Sequence, residues 1–366
     1  MKYDINILNQ YIDKGWVIKT NHPTLPIALF NYSRNTQYEN NWDEITLSCR
    51  GLILDNEGNV VAGGMSKFFN YEEVTKEIPF KDEYVYVQEK MDGSLGILFN
   101  YNNEWHLATK GSFKSVQSVK GLEMIKSKYD LKSFHNEMTY IVEILYDENR
   151  IVVKYPEEKV VFLSVFSNGV ELHWGTAKAI FHSSGIDESD VVKTEQYFSF
   201  GEDLYKSLKE RNEDNKEGFV LRFFPSNFIM KIKFEDYVRL HRILTEFSNV
   251  DIWEYLKEGK DINELLNRVP DEFDKWVKST IRDLRYFYFQ YNERAGKLFD
   301  HKMYGKYNDL EPETNKKKYA EWVMKQEEPL RPILFKMFNK KDYSKYIWKM
   351  IKPEYSKPFW KKEDYI

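Results

Sequence analysis

The stretch Tyr84-Val85-Tyr86-Val87-Gln88-Glu89-Lys90-Met91-Asp92-Gly93-Ser94-Leu95-Gly96-Ile97-Leu98-Phe99 decides how the chain is read. Tyr84 to Val87 and Leu95 to Phe99 are runs of β-formers, and Asp92-Gly93 between them is a turn signal. The pattern predicts two strands joined by a tight turn, with Lys90 at the end of the first. A lysine amine is a poor nucleophile while protonated and a good one where a neighbouring cation or a dry pocket lowers its pKa. On these residues alone the commoner meaning is an ordinary hairpin carrying a solvated lysine. The rest of the chain has to decide.

Upstream, Ile5, Leu8 and Ile12 share one helical face with Gly15 as a stop, and strands follow at Trp16 to Lys19, Ile27 to Tyr32, Gly51 to Asp55 and Val60 to Ala62. Downstream, Glu104 to Thr109 reads as a strand and Val116, Val119, Leu122 and Ile125 as a helix. Further strands are predicted at Thr139 to Leu145, Arg150 to Val153, Val160 to Phe166, Gly218 to Phe224 and Phe228 to Phe234, with a polar helical region over 176–215. Near residue 240 the character changes. Phe273, Trp276, Val277, Thr280, Ile281, Leu284, Phe287 and Tyr291 trace one face of a long helix, and helices are expected at 315–325, 329–338 and 341–351. The organisation predicted is an α+β domain of antiparallel sheets with flanking helices over 1–242, followed by an all-helical domain over 243–366.

At 366 residues with 42% hydrophobic and 31% charged side chains, the chain has material for a core and for two domains. Its net charge of -4 excludes a polycation, so any nucleic acid would be held by local basic patches. Cys49 is the one cysteine, which excludes an intramolecular disulfide and a multi-cysteine zinc site. The N-terminus lacks the apolar core of a signal peptide and no apolar run spans a bilayer, so a cytoplasmic protein with no membrane partner is expected.

Several other stretches join Lys90. Arg50-Gly51 enters a strand, Lys67-Phe68-Phe69-Asn70 follows a glycine pair, Lys110-Gly111-Ser112 ends a strand, and Glu143 lies within one. Glu217-Gly218 opens a strand, and Lys231 and Lys233, two apart, share one face of the next. Like charges side by side are costly unless an anion lies between them, and phosphate is the obvious candidate.

Lys90-Met91-Asp92-Gly93, Glu143, Glu217-Gly218 and Lys231-Ile232-Lys233, in that order, resemble the motif series of the covalent nucleotidyltransferase superfamily of ATP-dependent DNA and RNA ligases and mRNA capping enzymes. Cys49-Arg50-Gly51, Lys67-Phe68-Phe69-Asn70, Lys110-Gly111-Ser112, Asn149-Arg150-Ile151-Val152 and Glu217-Gly218-Phe219-Val220 narrow the resemblance to the bacteriophage-type RNA ligase 1 family, over residues 40–241. The resemblance implies a nucleotidyltransferase (ATP-grasp-like adenylation) domain, ATP as cosubstrate, Mg²⁺ with Mn²⁺ as substitute, and joining of 5'-phosphate to 3'-hydroxyl RNA ends through a lysyl-AMP on Lys90. Arg50, Lys67, Glu89, Lys110, Glu143, Lys231 and Lys233 would bind ATP or AMP, Leu163 and Val220 would sandwich adenine, and Glu143 and Glu217 would serve a metal. Asp92 would bind ribose or only make the turn, Phe69 is expected in the core, and one of Val165 and Phe166 would face the site. The RNA would be single-stranded or a broken tRNA, in a host-cell cytoplasm if the gene is a phage's, with no oligomer required.

Capping guanylyltransferases and DNA ligases usually carry an OB-fold after the last lysine motif, where this chain is predicted helical. A catalytically inactive binding homologue would be expected to lack the nucleophile or a carboxylate. In the helical domain Lys341, Lys345 and Lys349 form a stripe, opposite Tyr343, Ile347, Met350 and Ile351, extended by Lys336, Lys340 and Lys316-Lys317-Lys318. This is a solvated helix face or a platform for RNA backbone.

Overall fold

In the computed structural model, which describes residues 1–74, 82–262, 266, 269, 271–304 and 316–357, the strands are as follows. They are β1 (Val17–Asn21), β2 (Ile27–Tyr32), β3 (Arg50–Asp55), β4 (Val60–Ala62), β5 (Phe69–Asn70), β6 (Tyr84–Glu89), β7 (Ser94–Tyr101), β8 (Glu104–Thr109), β9 (Met138–Leu145), β10 (Lys159–Ser167), β11 (Val170–Glu171), β12 (Thr194–Tyr197), β13 (Gly218–Phe224) and β14 (Ile229–Lys233). They form three sheets, in the orders β1-β2-β3-β4, β12-β6-β13-β14-β5 and β11-β10-β9-β7-β8. Every strand pair is antiparallel except β14 with β5.

Alternation sorts the apolar side chains between two layers. On β9, Ile141 packs with Ile97, Phe99 and Ala108 against Ile27, Leu29 and Ile53 of the first sheet. Its neighbours Val142 and Ile144 face the other way, where Ile125 of the helix Val116–Lys128 and Phe181 of the helix Trp174–Ser183 cover them. The third sheet is therefore buried on both faces.

The chain divides into two compact units, one over Met1–Arg239 and one beginning at Leu240. In the second, the helices Asn249–Glu258, Arg331–Phe338 and Ser344–Met350 pack on the long helix Asp271–Tyr304. Phe273, Val277 and Leu284 of that helix are buried. None of the described helices is long and apolar enough to cross a membrane.

Several sequence expectations are corrected. The stretch around Lys90 is not a hairpin: β6 and β7 belong to different sheets, and residues 90–93 carry the chain from one to the other. Arg150 to Val153 is not a strand, because the amides of Val152 and Val153 donate to Asp92 Oδ2 (2.9 and 2.8 Å) in place of a ladder. The polar region over 176–215 contains β12, paired with β6 along the edge of the second sheet. The helix Asn249–Glu258 lies in the region expected to be helical, whereas the helix Glu235–Glu246 runs across the expected boundary at 242. Phe287 is 51% exposed; its neighbour Tyr288 turns inward, its ring 4.9 Å from that of Trp348. The lysine stripe is shorter than expected. The helix begins only at Ser344, whose amide donates to Asp342, leaving Lys341 outside it and Lys345 and Lys349 on it. The expected start of another helix, Asn315, lies outside the described residues.

Candidate active site

The pocket face of the second sheet is built in three rows across β14, β13 and β6. Residues directly opposite on antiparallel strands point to the same side. The pairs Gly218 with Lys233, Val220 with Lys231 and with Gln88, and Arg222 with Ile229 and with Tyr86 fix the rows. The Lys90 amide donates to Gly218 O (2.9 Å), which carries the first row, Lys233–Gly218–Lys90, one residue past the end of β6. Gly218 itself has a φ of +142°, and a Cβ there would stand 2.0 Å from Ile232 O. Only glycine fits, and its turn sends the preceding Glu217 beneath the two lysines. The Lys90 Nζ donates to Glu217 Oε2 and Lys233 Nζ pairs with Oε1, both at 2.8 Å. Burial alone would raise the Glu217 carboxyl, but the charges of Lys90 and Lys233 outweigh it and hold it below the usual range.

Above these rows lies a cavity of about 420 Å³. Arg50, Lys67, Glu89, Lys90, Lys110, Glu143, Leu163, Val220, Lys231 and Lys233 all line it, drawn from every sheet. The cations are crowded. Burial, then the charges of Lys67, Lys233, Lys90 and Arg50, pull Lys231 down to about 7. Burial followed by Arg50 and Lys67 lowers Lys110, and burial also lowers Lys67, with Glu73 opposing it. Among the described residues Lys67, Lys110 and Lys231 have no carboxylate within 4 Å. Their ammonium groups lie over aromatic rings, Lys67 over Phe69 (4.9 Å), Lys110 over Tyr32 (5.6 Å) and Lys231 over Phe68 (5.6 Å). A cluster that depresses its own charges is a site short of an anion, and a polyphosphate supplies one.

The opposite wall comes from the third sheet. Glu143 accepts from the Gly93 amide at 3.1 Å. Burial, with Glu217 adding and Lys90 opposing, pushes it up to about 7. Leu163 sits at a register shift in β10 between Phe162 and Ser164 and lines the cavity, as Val220 does. Because of that shift neither Val165 nor Phe166 lines the cavity: Val165 packs toward the helices and Phe166 toward the first sheet. This corrects the expectation that one of them would face the site. Asp92 is 4% exposed and accepts from Val152 N, Val153 N and Tyr237 OH (2.8 Å), so it makes neither a hairpin turn nor part of the cavity wall. It fixes the crossover instead. Asn149 likewise exchanges hydrogen bonds with Ser94, at 2.9 and 3.2 Å.

The sequence reading passed over Gln88, Arg222, Tyr32, Met65 and Phe68, which also line the cavity. The period of two could have found Gln88 and Arg222, two residues from Lys90 and Val220 on the same face. Among the described residues no group of three or more His, Cys, Asp or Glu could hold a metal ion. Glu143 lines the cavity without an ion pair among the described residues, whereas both oxygens of Glu217 are engaged by lysines. The donor set fits an ion such as Mg²⁺, which keeps several waters and takes one or two carboxylates together with substrate phosphates.

The cavity thus joins a strand-end lysine, two carboxylates and a cradle of cations. The family model described as RNA ligase matches residues 48–238, and the chain belongs to that family. A protein of Autographa californica nuclear polyhedrosis virus, named "Putative bifunctional polynucleotide kinase/RNA ligase", is 26% identical over 264 residues. That match covers 65% of this chain but only 36% of the viral protein. An RNA ligase of Rhodothermus phage RM378 is 26% identical over 322 residues, covering 69% of this chain and 72% of its own length. An archaeal ATP-dependent RNA ligase of known structure superposes with a TM-score of 0.50 at 16% identity, over 76% of this chain and 75% of that one, which shows a common fold.

Proposed function

We propose that the protein is an ATP-dependent RNA ligase that joins 5'-phosphate and 3'-hydroxyl ends through a lysyl-AMP on Lys90, in RNA repair. The observation that carries this reading is the placement of Lys90 Nζ, 2.8 Å from a buried carboxylate and at the edge of a cavity ringed by anion-seeking cations. The amine attacks the α-phosphorus of ATP as the bond to pyrophosphate breaks. The AMP then passes to the 5'-phosphate of an RNA end, and a 3'-hydroxyl displaces it. Phosphoryl transfer asks for alignment and charge neutralisation more than for proton chemistry. In this reading Lys231 and Lys233 hold the α-phosphate, while Arg50, Lys67 and Lys110 hold the β- and γ-phosphates and later the RNA end. Leu163 and Val220 sandwich the base, and Glu89 sits at the cavity rim, 3.9 Å from Lys216. Glu143 would hold a Mg²⁺ ion, for which Mn²⁺ would substitute, and Glu217 would join it if one of its lysine pairs opened. The ion, when bound, neutralises charge on the phosphates.

The second unit is proposed as the platform for single-stranded or broken tRNA. Between residues 316 and 352 it has eleven Lys and Arg against four Asp and Glu. Incubation with α-labelled ATP and Mg²⁺ is expected to leave an acid-labile, alkali-stable label on the wild-type chain and none on Lys90→Ala. Labelling of Lys90→Ala at the wild-type level defeats the proposal, and label from GTP in preference to ATP moves the activity to capping.

A further inference from the structure

A second cavity in the first unit, of about 540 Å³, shares no lining residue with the one around Lys90. One wall is the helix Trp174–Ser183, on which Trp174, Lys178 and His182 recur every four residues and so share a face. The other wall is the segment 191–194. Val192 N donates to Phe162 O of β10, and one residue further on Lys193 O accepts from Glu89 N of β6, both at 3.0 Å. The segment is thus fastened first to the third sheet and then to the second. Trp174, 8% exposed, joins Ile186, Val191 and Val192 in an apolar lining. Lys178, His182 and Lys193 stand exposed at its rim.

The groove is short of negative charge. Its one lining carboxylate, Glu188, lies 3.9 Å from Lys178. Neighbouring acids are engaged elsewhere, Asp187 and Asp190 with Lys128 and Glu195 with Arg211. An apolar slot edged with cations matches a ligand that carries a flat apolar face beside a negative charge, and a nucleotide within a single strand is such a ligand. The volume is that of an ordinary ligand pocket and leaves room for one base. The groove's position favours RNA over an acidic peptide. Glu89, whose amide is bonded to Lys193, lines the first cavity and directly precedes Lys90. A strand with its end at Lys90 therefore comes to the groove within its next few nucleotides.

We propose that this groove receives one unpaired base of the RNA strand being joined, with the flanking phosphates on Lys178, His182 and Lys193. The inference rests on the ligase reading for the presence of RNA. The slot offers apolar surface to the base and cations to the backbone, so it holds a strand in place with little regard to sequence. It also demands a single strand near the end, because a paired base is not free to enter.

The test follows binding of a 5'-phosphorylated single-stranded oligoribonucleotide to the full chain by fluorescence anisotropy, with abasic nucleotides placed in turn along the strand. Adduct formation at Lys90 with ATP and Mg²⁺ is read in parallel by intact mass. For the wild type, one abasic position near the strand end is expected to weaken binding about fivefold to a hundredfold, the range for one lost base contact. In Lys178→Glu/Lys193→Glu that penalty is expected to vanish, and the slope of log K against log salt to flatten by about 1.4, two phosphate contacts at roughly 0.7 each. His182→Ala is expected to shrink the penalty, and adducts are expected to form at the wild-type rate in both variants. No costly abasic position in the wild type, or an undiminished penalty in the double variant, overturns the proposal. So does loss of adduct formation in the double variant, which makes the two lysines supports of the catalytic site. A dimer, or binding of an acidic leucine-rich peptide, that the double variant loses while its RNA binding is intact assigns the groove to protein and overturns the proposal as well. The expected RNA pattern without any adduct in the wild type overturns the ligase reading and leaves the groove standing.

Discussion

Lys231 and Lys345 are the same residue in opposite surroundings. Lys231 faces a cavity with Arg50, Lys67, Lys90 and Lys233 bearing on its charge, and its amine is pulled down to about 7. Lys345 stands exposed on a short helix, beside the ring of Tyr346 at 5.3 Å. The difference separates two ways of meeting phosphate. A confined cluster is destabilised until one particular anion arrives, so it binds with geometry. An open lysine attracts any phosphate backbone and does so through the ionic atmosphere.

The largest consequence concerns catalysis. Lys231→Met is expected to slow adduct formation at Lys90 by about a hundredfold to a thousandfold, the usual effect of removing one preorganised charge stabiliser. A loss of less than tenfold, measured by single-turnover labelling, would place the α-phosphate elsewhere.

Next comes the pH dependence of the nucleotide-free protein. The Lys231 amine is lowered from its ordinary 10.5 to about 7, so between about 7 and 10.5 the unfolded chain binds the proton and the folded one does not. Stability from this group therefore rises with pH across that window. The Glu143 carboxyl is raised from 4.5 to about 7, so between those values the folded state holds the extra proton and stability falls as pH rises. Together they predict a stability minimum near pH 7 in urea titrations. Glu143→Gln is expected to flatten the acid limb and Lys231→Met the alkaline one. A minimum unchanged in both variants would mean that other groups set it.

The smallest effect belongs to the exposed lysines. Replacing Lys345 and Lys349 together is expected to flatten the dependence of log K on log salt for single-stranded RNA by about 1.4, two lost phosphate contacts at roughly 0.7 each. An unchanged slope would make that helix face solvated surface and remove it from the platform.

What was legible in the chain follows from the range over which each signal acts. The edges of most strands were plain, because alternation and turn residues are local. The same-face pair Lys231 and Lys233 was legible for the same reason, since a period of two is a property of the strand itself. The crossover at residues 90–93 was not, because Asp-Gly between two β-runs also spells a hairpin, and only the pairing of β6 with β12 and β13 tells them apart. The loop after Asn149 misled for a related reason. Its Ile151, Val152 and Val153 are strong β-formers, yet the amides of Val152 and Val153 go to a carboxylate some sixty residues away in sequence. Leu163 could be placed at the cavity from the sequence, but a register shift in β10 decided against Val165 and Phe166, and bulges leave little mark on composition.

The crossover also bears on how two of the sheets are tethered. Residues 90–93 are the shortest covalent tether between the second and third sheets; the other link, from β11 to β12, runs through residues 172–193. Two plates joined by a short strap and a long one part most easily at the end away from the short strap. Residues 90–93 therefore limit how far the ends of β6 and β7 can separate, a constraint that the far ends of the same two strands do not share.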